Sequence, residues 1–80
     1  MYSMVHAFVM VKTAVGASES LIGTVRELAS VTEAHIVAGE FDLIVEVEVE
    51  EVYEVLHTAA REVQALGGVE ETKTYISLED

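Results

Sequence analysis

Cysteine, proline and tryptophan are absent from this sequence of 80 residues, and positive charge is scarce. Without cysteine, the chain forms neither a disulfide nor a thiolate zinc site. Neither a proline-rich nor a low-complexity stretch marks a linker between domains. Because 80 residues are few even for one domain, we expect a single domain over residues 1–80.

The positive charges are Lys12, Arg26, Arg61 and Lys73, against 15 acidic residues, and the formal net charge is −11. Proteins that bind nucleic acids neutralise phosphates with clusters of lysine and arginine. Anionic membrane surfaces attract similar clusters. The four basic residues are scattered along the chain, so we expect neither direct nucleic-acid binding nor membrane binding.

A net charge this far from zero destabilises a compact chain through self-repulsion. At about 1 M salt the Debye length shrinks to roughly 3 Å, which screens most of that repulsion. The composition therefore indicates a halophilic source, with an ordinary acidic protein as the alternative.

Long hydrophobic runs are also missing. The apolar run at residues 4–11 spans only eight residues, contains His6 and has no basic leader. It is too short for a membrane span and does not have the form of a secretory signal, so it predicts a β-strand. We expect a cytoplasmic protein.

Hydrophobic periodicity predicts the order strand–helix–strand–strand–helix–strand. The first helix is expected to use Ser18 as its N-cap, and Gly39-Glu40 to form a two-residue hairpin in which glycine supplies a positive φ. The strands are expected at about residues 4–12, 31–38, 41–49 and 69–78. The apolar stripe of the second helix consists of Val52, Val55, Leu56, Ala59, Ala60, Val63 and Leu66.

The two halves of the chain are similar when shifted by 38 residues, which aligns apolar residues of the first strand with those of the third. Two interleaved right-handed βαβ units give a ferredoxin-like fold. We therefore predict an α+β sandwich: a four-stranded antiparallel sheet in the order 4-1-3-2, with both helices on one face.

The opposite, open face of that sheet is predicted to be too apolar for water. Contiguous apolar patches usually mark a partner, and two-fold dimers are the commonest oligomers. A second copy would also supplement the small core of so short a chain. We predict a homodimer through the sheet, with an interface formed by His6, Phe8, Met10, Val37, Ile44 and Tyr75.

Residues 37–45 read VAGEFDLIV, and Gly68-Val69 and residues 72–78, TKTYISL, follow after the second helix. Together with residues 5–9 and 31–34, these segments resemble the effector-binding (RAM) domain of the Lrp/AsnC family of feast/famine transcriptional regulators. The resemblance spans nearly the whole chain. Family members normally carry an N-terminal helix-turn-helix domain, whereas this sequence starts directly at the first strand, so we expect a stand-alone sensing domain that does not itself bind DNA.

The resemblance implies dimers that assemble into larger rings, with a small effector, often an amino acid, bound between dimers near the hairpin of strands two and three. It also implies full-length Lrp/AsnC-type regulators as partners, besides copies of the chain itself. The effector residues carried over are Gly39, Phe41, Asp42, Thr72 and Thr74.

Each carried-over residue has suitable chemistry. Gly39 allows close approach of a ligand to the backbone, Phe41 offers an apolar wall, and Asp42 can accept hydrogen bonds from an ammonium group. The hydroxyls of Thr72 and Thr74 can donate to a carboxylate. The alternatives are structural: Gly39 and Asp42 as turn residues, Phe41 as dimer packing, and the threonines as strand formers.

Catalytic and metal-binding patterns are not evident. His6, His35 and His57 fall on three different elements without ligand spacing, so we expect no metal, no cofactor and no catalytic residues. Two alternatives to a sensing module remain open. One is a small dimeric ferredoxin-like enzyme of the monooxygenase type, which needs a polar cavity where this chain has aliphatic residues. The other is a purely structural oligomer.

Overall fold

The computed structural model describes residues 4–79, apart from the side chain of Thr58. Between the third and fourth strands lies a helical segment, α2, built from a short α-helical turn, a π-helical turn and an α-helix. The remaining elements are four strands and one helix. In chain order the bounds are β1 Val5–Thr13, α1 Ser18–Arg26, β2 Val31–Ile36, β3 Leu43–Val49, α2 Val52–Glu54 with Val55–Ala59 and Ala60–Gln64, and β4 Val69–Ile76.

The four strands form one antiparallel sheet in the order β2-β3-β1-β4. Read from the other edge, this is the predicted order 4-1-3-2. The predicted ferredoxin-like α+β fold is confirmed.

The core lies between one face of the sheet and the two helical segments. Side chains alternate between the faces of a strand, so every second residue of β1 and β3 points at the helices. Six of these residues are fully buried, as are the facing Val25 of α1 and Val55 and Val63 of α2. From the two central strands they are Ala7, Val9, Val11, Leu43, Val45 and Val47.

The predicted N-cap and helix stripe are partly wrong. Ala17 is the N-cap of α1, without a side-chain hydrogen bond, and Ser18 is the first helical residue. In α2, Val52 and Leu56 are each 51% exposed, although the apolar stripe places both in the core. The stripe assumes a regular period of 3.6 residues, which the π-helical turn at Val55–Ala59 interrupts.

The connection between β2 and β3 also differs from the prediction. The backbone N–H of Val37 donates to the carbonyl of Asp42 at 2.9 Å, which encloses a four-residue loop, residues 38–41. Gly39 lies in this loop without a positive φ, since the glycines with positive φ are Gly16 and Gly68. The predicted two-residue hairpin is therefore wrong. In the described part of the chain, no helix is both long and apolar enough to cross a membrane.

Candidate functional site

A depression of about 400 Å³ lies on the open face of the sheet, beside the loop that joins β2 and β3. Four of its lining residues come from the loop, and the others come from β1, β3, β4 and the residue that follows β2. They are Met10, Val37, Ala38, Gly39, Glu40, Phe41, Ile44 and Tyr75.

The loop is held by Asp42, at its end. The backbone N–H of Asp42 donates to the carbonyl of Val11 at 2.8 Å. Its carboxylate Oδ2 accepts from the backbone N–H of Thr13 at 2.8 Å and from the hydroxyl of Thr13 at 3.2 Å. These three bonds attach the loop to the end of β1, and so set the wall of the pocket.

The pocket combines apolar walls with one charged lining residue, Glu40. Met10 and Ile44 are directly opposite one another on β1 and β3 and form its floor. Lys73 lies opposite Met10 on β4, next to the pocket but outside its lining. Pockets for small metabolites usually have this composition, in which apolar surface supplies contact area and a few polar groups fix the orientation. The arrangement suits a small molecule with an apolar body and an ammonium group.

Comparison with protein-family models gives one match that covers most of the chain. The model for the Lrp/AsnC ligand binding domain matches residues 6–80. The chain belongs to this family. It is a family of ligand-binding regulatory domains, not an enzyme family.

Several solved structures have the same fold as this chain. The protein TTHA0845 from Thermus thermophilus is 28% identical, with a TM-score of 0.87 and coverage of 95% of both chains. AsnC from E. coli is 21% identical with a TM-score of 0.85; the match covers 95% of this chain and 52% of AsnC. The regulator NMB0573 from Neisseria meningitidis, solved in complex with L-Met, is 19% identical with a TM-score of 0.82, over 95% of this chain and 51% of its own. No curated protein matches the sequence.

The structure brings together only part of the effector residues that the Lrp/AsnC resemblance implies. Gly39 and Phe41 line the pocket, and Asp42 anchors the loop through the hydrogen bond that its carboxylate accepts from Thr13. Thr72 and Thr74 are opposite Val11 and Val9, so they lie on the helix side of the sheet. The side-chain amide of Gln64 donates to the hydroxyl of Thr72 at 2.8 Å. Within one chain, the threonines therefore do not meet the pocket.

The residues expected at the dimer interface lie on or beside the open face. Phe8 is opposite Tyr75, and the rings of His6 and Phe8 stack with centroids 5.3 Å apart. Four of the six interface residues, Met10, Val37, Ile44 and Tyr75, also line the pocket. Part of the predicted interface therefore lies on the same surface as Gly39 and Phe41, the two predicted effector residues that line the pocket. The dimer itself stays a prediction.

The open face also carries charged residues that are not among those predicted from the sequence. Glu33 and His35 of β2 lie on this face, opposite Glu46 and Ile44 of β3. His6 approaches the same Glu46 from β1, with Nε2 3.2 Å from Oε1. Two histidines that are far apart in sequence therefore flank one carboxylate. The Glu33-x-His35 spacing was a usable signal, because residues i and i+2 of a strand share a face, but it becomes informative only with the β2–β3 register.

Proposed function

We propose that this chain is a cytoplasmic sensing and oligomerisation module that binds a small amino acid in the open-face pocket and acts on transcription through other Lrp/AsnC-type regulators, without contacting DNA itself. The observation that carries the proposal is the pocket, which is formed by the loop residues that resemble the family's effector motif. The net charge of −11 favours a partner protein over nucleic acid.

The lining favours an amino acid with an apolar side chain. Met10, Ile44 and Phe41 offer aliphatic and aromatic contact area, and Glu40 offers a partner for an α-ammonium group. Lys73, opposite Met10, offers a partner for an α-carboxylate. The L-Met complex of the Neisseria regulator supports the same class of ligand.

Self-association through the open face would make the pocket a better site. Tyr75 is 56% exposed in the single chain, and the pocket beside it is shallow and open to solvent. A second copy packed on the sheet would bury Tyr75 and cover the pocket. A bound ligand would cover apolar surface of the pocket, and a second copy would cover the rest of the open face. Ligand binding and dimerisation would therefore stabilise one another.

The filled core favours sensing over catalysis as the main function. A monooxygenase-like enzyme needs a polar cavity between sheet and helices. In this chain Val9, Val45 and Val63 fill that region and are fully buried. A purely structural oligomer remains the second candidate, favoured by the exposed apolar residues of the open face. It differs from the sensing module because no amino acid would change its melting temperature.

A thermal-shift screen of the twenty amino acids, followed by calorimetric titration of those that stabilise the chain, tests the proposal. Gly39→Val is the key variant: a Cβ at Gly39 meets no atom within 4 Å and its φ is not positive, so the change narrows the pocket without straining the fold. Gly67→Val is the matched control, because Gly67 is equally unobstructed but lies outside the pocket.

We expect an apolar amino acid to raise the melting temperature of the wild type and of Gly67→Val. The melting temperature of Gly39→Val should not change. If no amino acid raises the melting temperature of the wild type, the result favours a purely structural oligomer. Equal shifts in Gly39→Val and wild type would place the ligand elsewhere on the molecule.

A further inference from the structure

A second site lies on the open face, outside the pocket. Glu33 and His35 are two residues apart on β2, and Glu46 is on β3 directly opposite Glu33. One donor atom from each of the three side chains lies within 4.8 Å of the other two. Two elements that are adjacent in the sheet therefore present a nitrogen and two carboxylate oxygens to one point.

The pairing of Glu33 with Glu46 is unfavourable unless something positive lies between them. Like charges directly opposite each other on adjacent strands destabilise a sheet, and the chain as a whole carries a net charge of −11. The only close partners of these carboxylates among the described residues are imidazoles: His35 Nε2 lies 3.1 Å from Glu33 and His6 Nε2 lies 3.2 Å from Glu46. A cation between the carboxylates would remove the repulsion.

We propose that Glu33, His35 and Glu46 bind a divalent metal ion of the zinc class. One imidazole and two carboxylates are a ligand set for zinc and neighbouring transition metals, whereas calcium and magnesium prefer oxygen ligands alone. Ligand bonds of about 2.0–2.2 Å require donor atoms roughly 3.4 Å apart in a tetrahedral site. The donors are at most 4.8 Å apart, and the side chains of Glu33 and His35 are exposed enough to rotate inward.

His6 acts in this site as a positioning residue. Its ring approaches Oε1 of Glu46 and stacks on Phe8, which leaves the other carboxylate oxygen available to the metal. Hydrogen-bonding partners of metal ligands orient them and contribute to affinity. The site thus uses both histidines of the open face, one as a ligand and one as the support of a ligand.

The metal site is independent of the amino-acid pocket. None of Glu33, His35 and Glu46 lines the pocket. The site shares with the pocket only the face of the sheet on which it lies, so an occupied site would lower the negative charge of the surface that we propose for dimerisation.

Calorimetric titration with ZnCl₂, with Co²⁺ absorption as a report on coordination, tests the site in the full chain. His35→Gln and Glu46→Gln remove ligands, and His6→Gln removes the positioning residue. His57→Gln is the control for histidines outside the cluster, because His57 stacks on Tyr53 of α2. Glu48→Gln is the control for a β3 glutamate that is outside the three-residue cluster. Thermal unfolding without metal checks that each variant is folded.

We expect one ion per wild-type chain, no measurable binding by His35→Gln or Glu46→Gln, and affinity lowered by about 10- to 100-fold with unchanged stoichiometry in His6→Gln. Wild-type affinity in both ligand variants overturns the site. The site is also overturned if His57→Gln and Glu48→Gln lose as much zinc affinity as the ligand variants, because that would indicate non-specific attraction of zinc to an acidic surface. Gly39→Val should bind zinc with the affinity of the wild type. The zinc titration therefore tests the metal site even if the chain binds no amino acid.

Discussion

The carboxylate of Asp42 and the buried Thr13 are joined by two hydrogen bonds, from the backbone N–H at 2.8 Å and from the hydroxyl at 3.2 Å, both to Oδ2. Among residues 4–79, leaving aside Thr58, whose side chain the structure does not describe, Thr13 is the only buried polar residue, and it ends β1. Asp42 ends the loop that carries Gly39 and Phe41. One carboxylate therefore connects the rim of the candidate pocket to the end of the inner strand β1.

Asp42→Ala should lower the free energy of unfolding by about 2 kcal/mol, because it leaves buried donors of Thr13 without a partner. Urea denaturation measures this loss. Glu40→Ala, in the same loop but exposed, is the control and should stay within about 0.5 kcal/mol of the wild type.

The same variant separates two roles of Asp42. If Asp42 only positions the loop, Asp42→Ala weakens both folding and ligand binding. Unchanged stability together with lost amino-acid binding would contradict the structural role and identify Asp42 as a direct ligand contact.

Strand alternation made most of the fold predictable. The period of two at Leu43, Val45 and Val47 indicates one buried face, and the same pattern in β1 indicates its neighbour in the sheet. Once those faces are assigned, the open-face residues follow by elimination. The segment that resembles the family, residues 37–45, contains the loop that borders the pocket.

The parts that could not be predicted depend on register and on local hydrogen bonding. The length of the β2–β3 loop follows from the bond between Val37 and Asp42, which no residue type specifies. The cluster of Glu33, His35 and Glu46 requires the irregular β2–β3 register, in which the pairing shifts between Val31 and Glu33. Exposure of Leu56 depends on a π-helical turn that helical periodicity does not reveal.

The adjacent glycines Gly67 and Gly68 should respond differently to alanine. Gly68 has φ +96°, and a Cβ there would lie 3.2 Å from the Cβ of Ala17 and 3.3 Å from Cδ1 of Leu21. Gly68→Ala should therefore lower the free energy of unfolding by about 2 kcal/mol, through left-handed strain and crowding. Gly67→Ala, which meets nothing within 4 Å, should be neutral or slightly stabilising. Equal effects in urea denaturation would contradict this account of the turn.

Self-association should depend on the open face. Met10→Glu places a carboxylate at the centre of that face, so we expect it to convert a dimer or larger assembly to a monomer at micromolar concentration. Light scattering coupled to size exclusion gives the mass. Val15→Glu adds the same charge at a fully exposed position off the strands and should leave the mass unchanged. A wild-type chain that is already a folded monomer would remove the basis for a site covered by a second copy.

Salt should strengthen both folding and association, because the repulsion among 15 carboxylates acts within each chain and between copies. Raising KCl from 0.1 M to 1 M shortens the Debye length from about 10 Å to about 3 Å, so the melting temperature and the assembled fraction should both increase. The triple variant Glu48→Gln, Glu70→Gln, Glu71→Gln removes three exposed negative charges and should reduce this salt dependence. If the variant keeps the full salt response, the stabilisation comes from salting-out of apolar surface instead of screening. A melting temperature that falls with KCl would contradict self-repulsion as the main electrostatic cost of this fold.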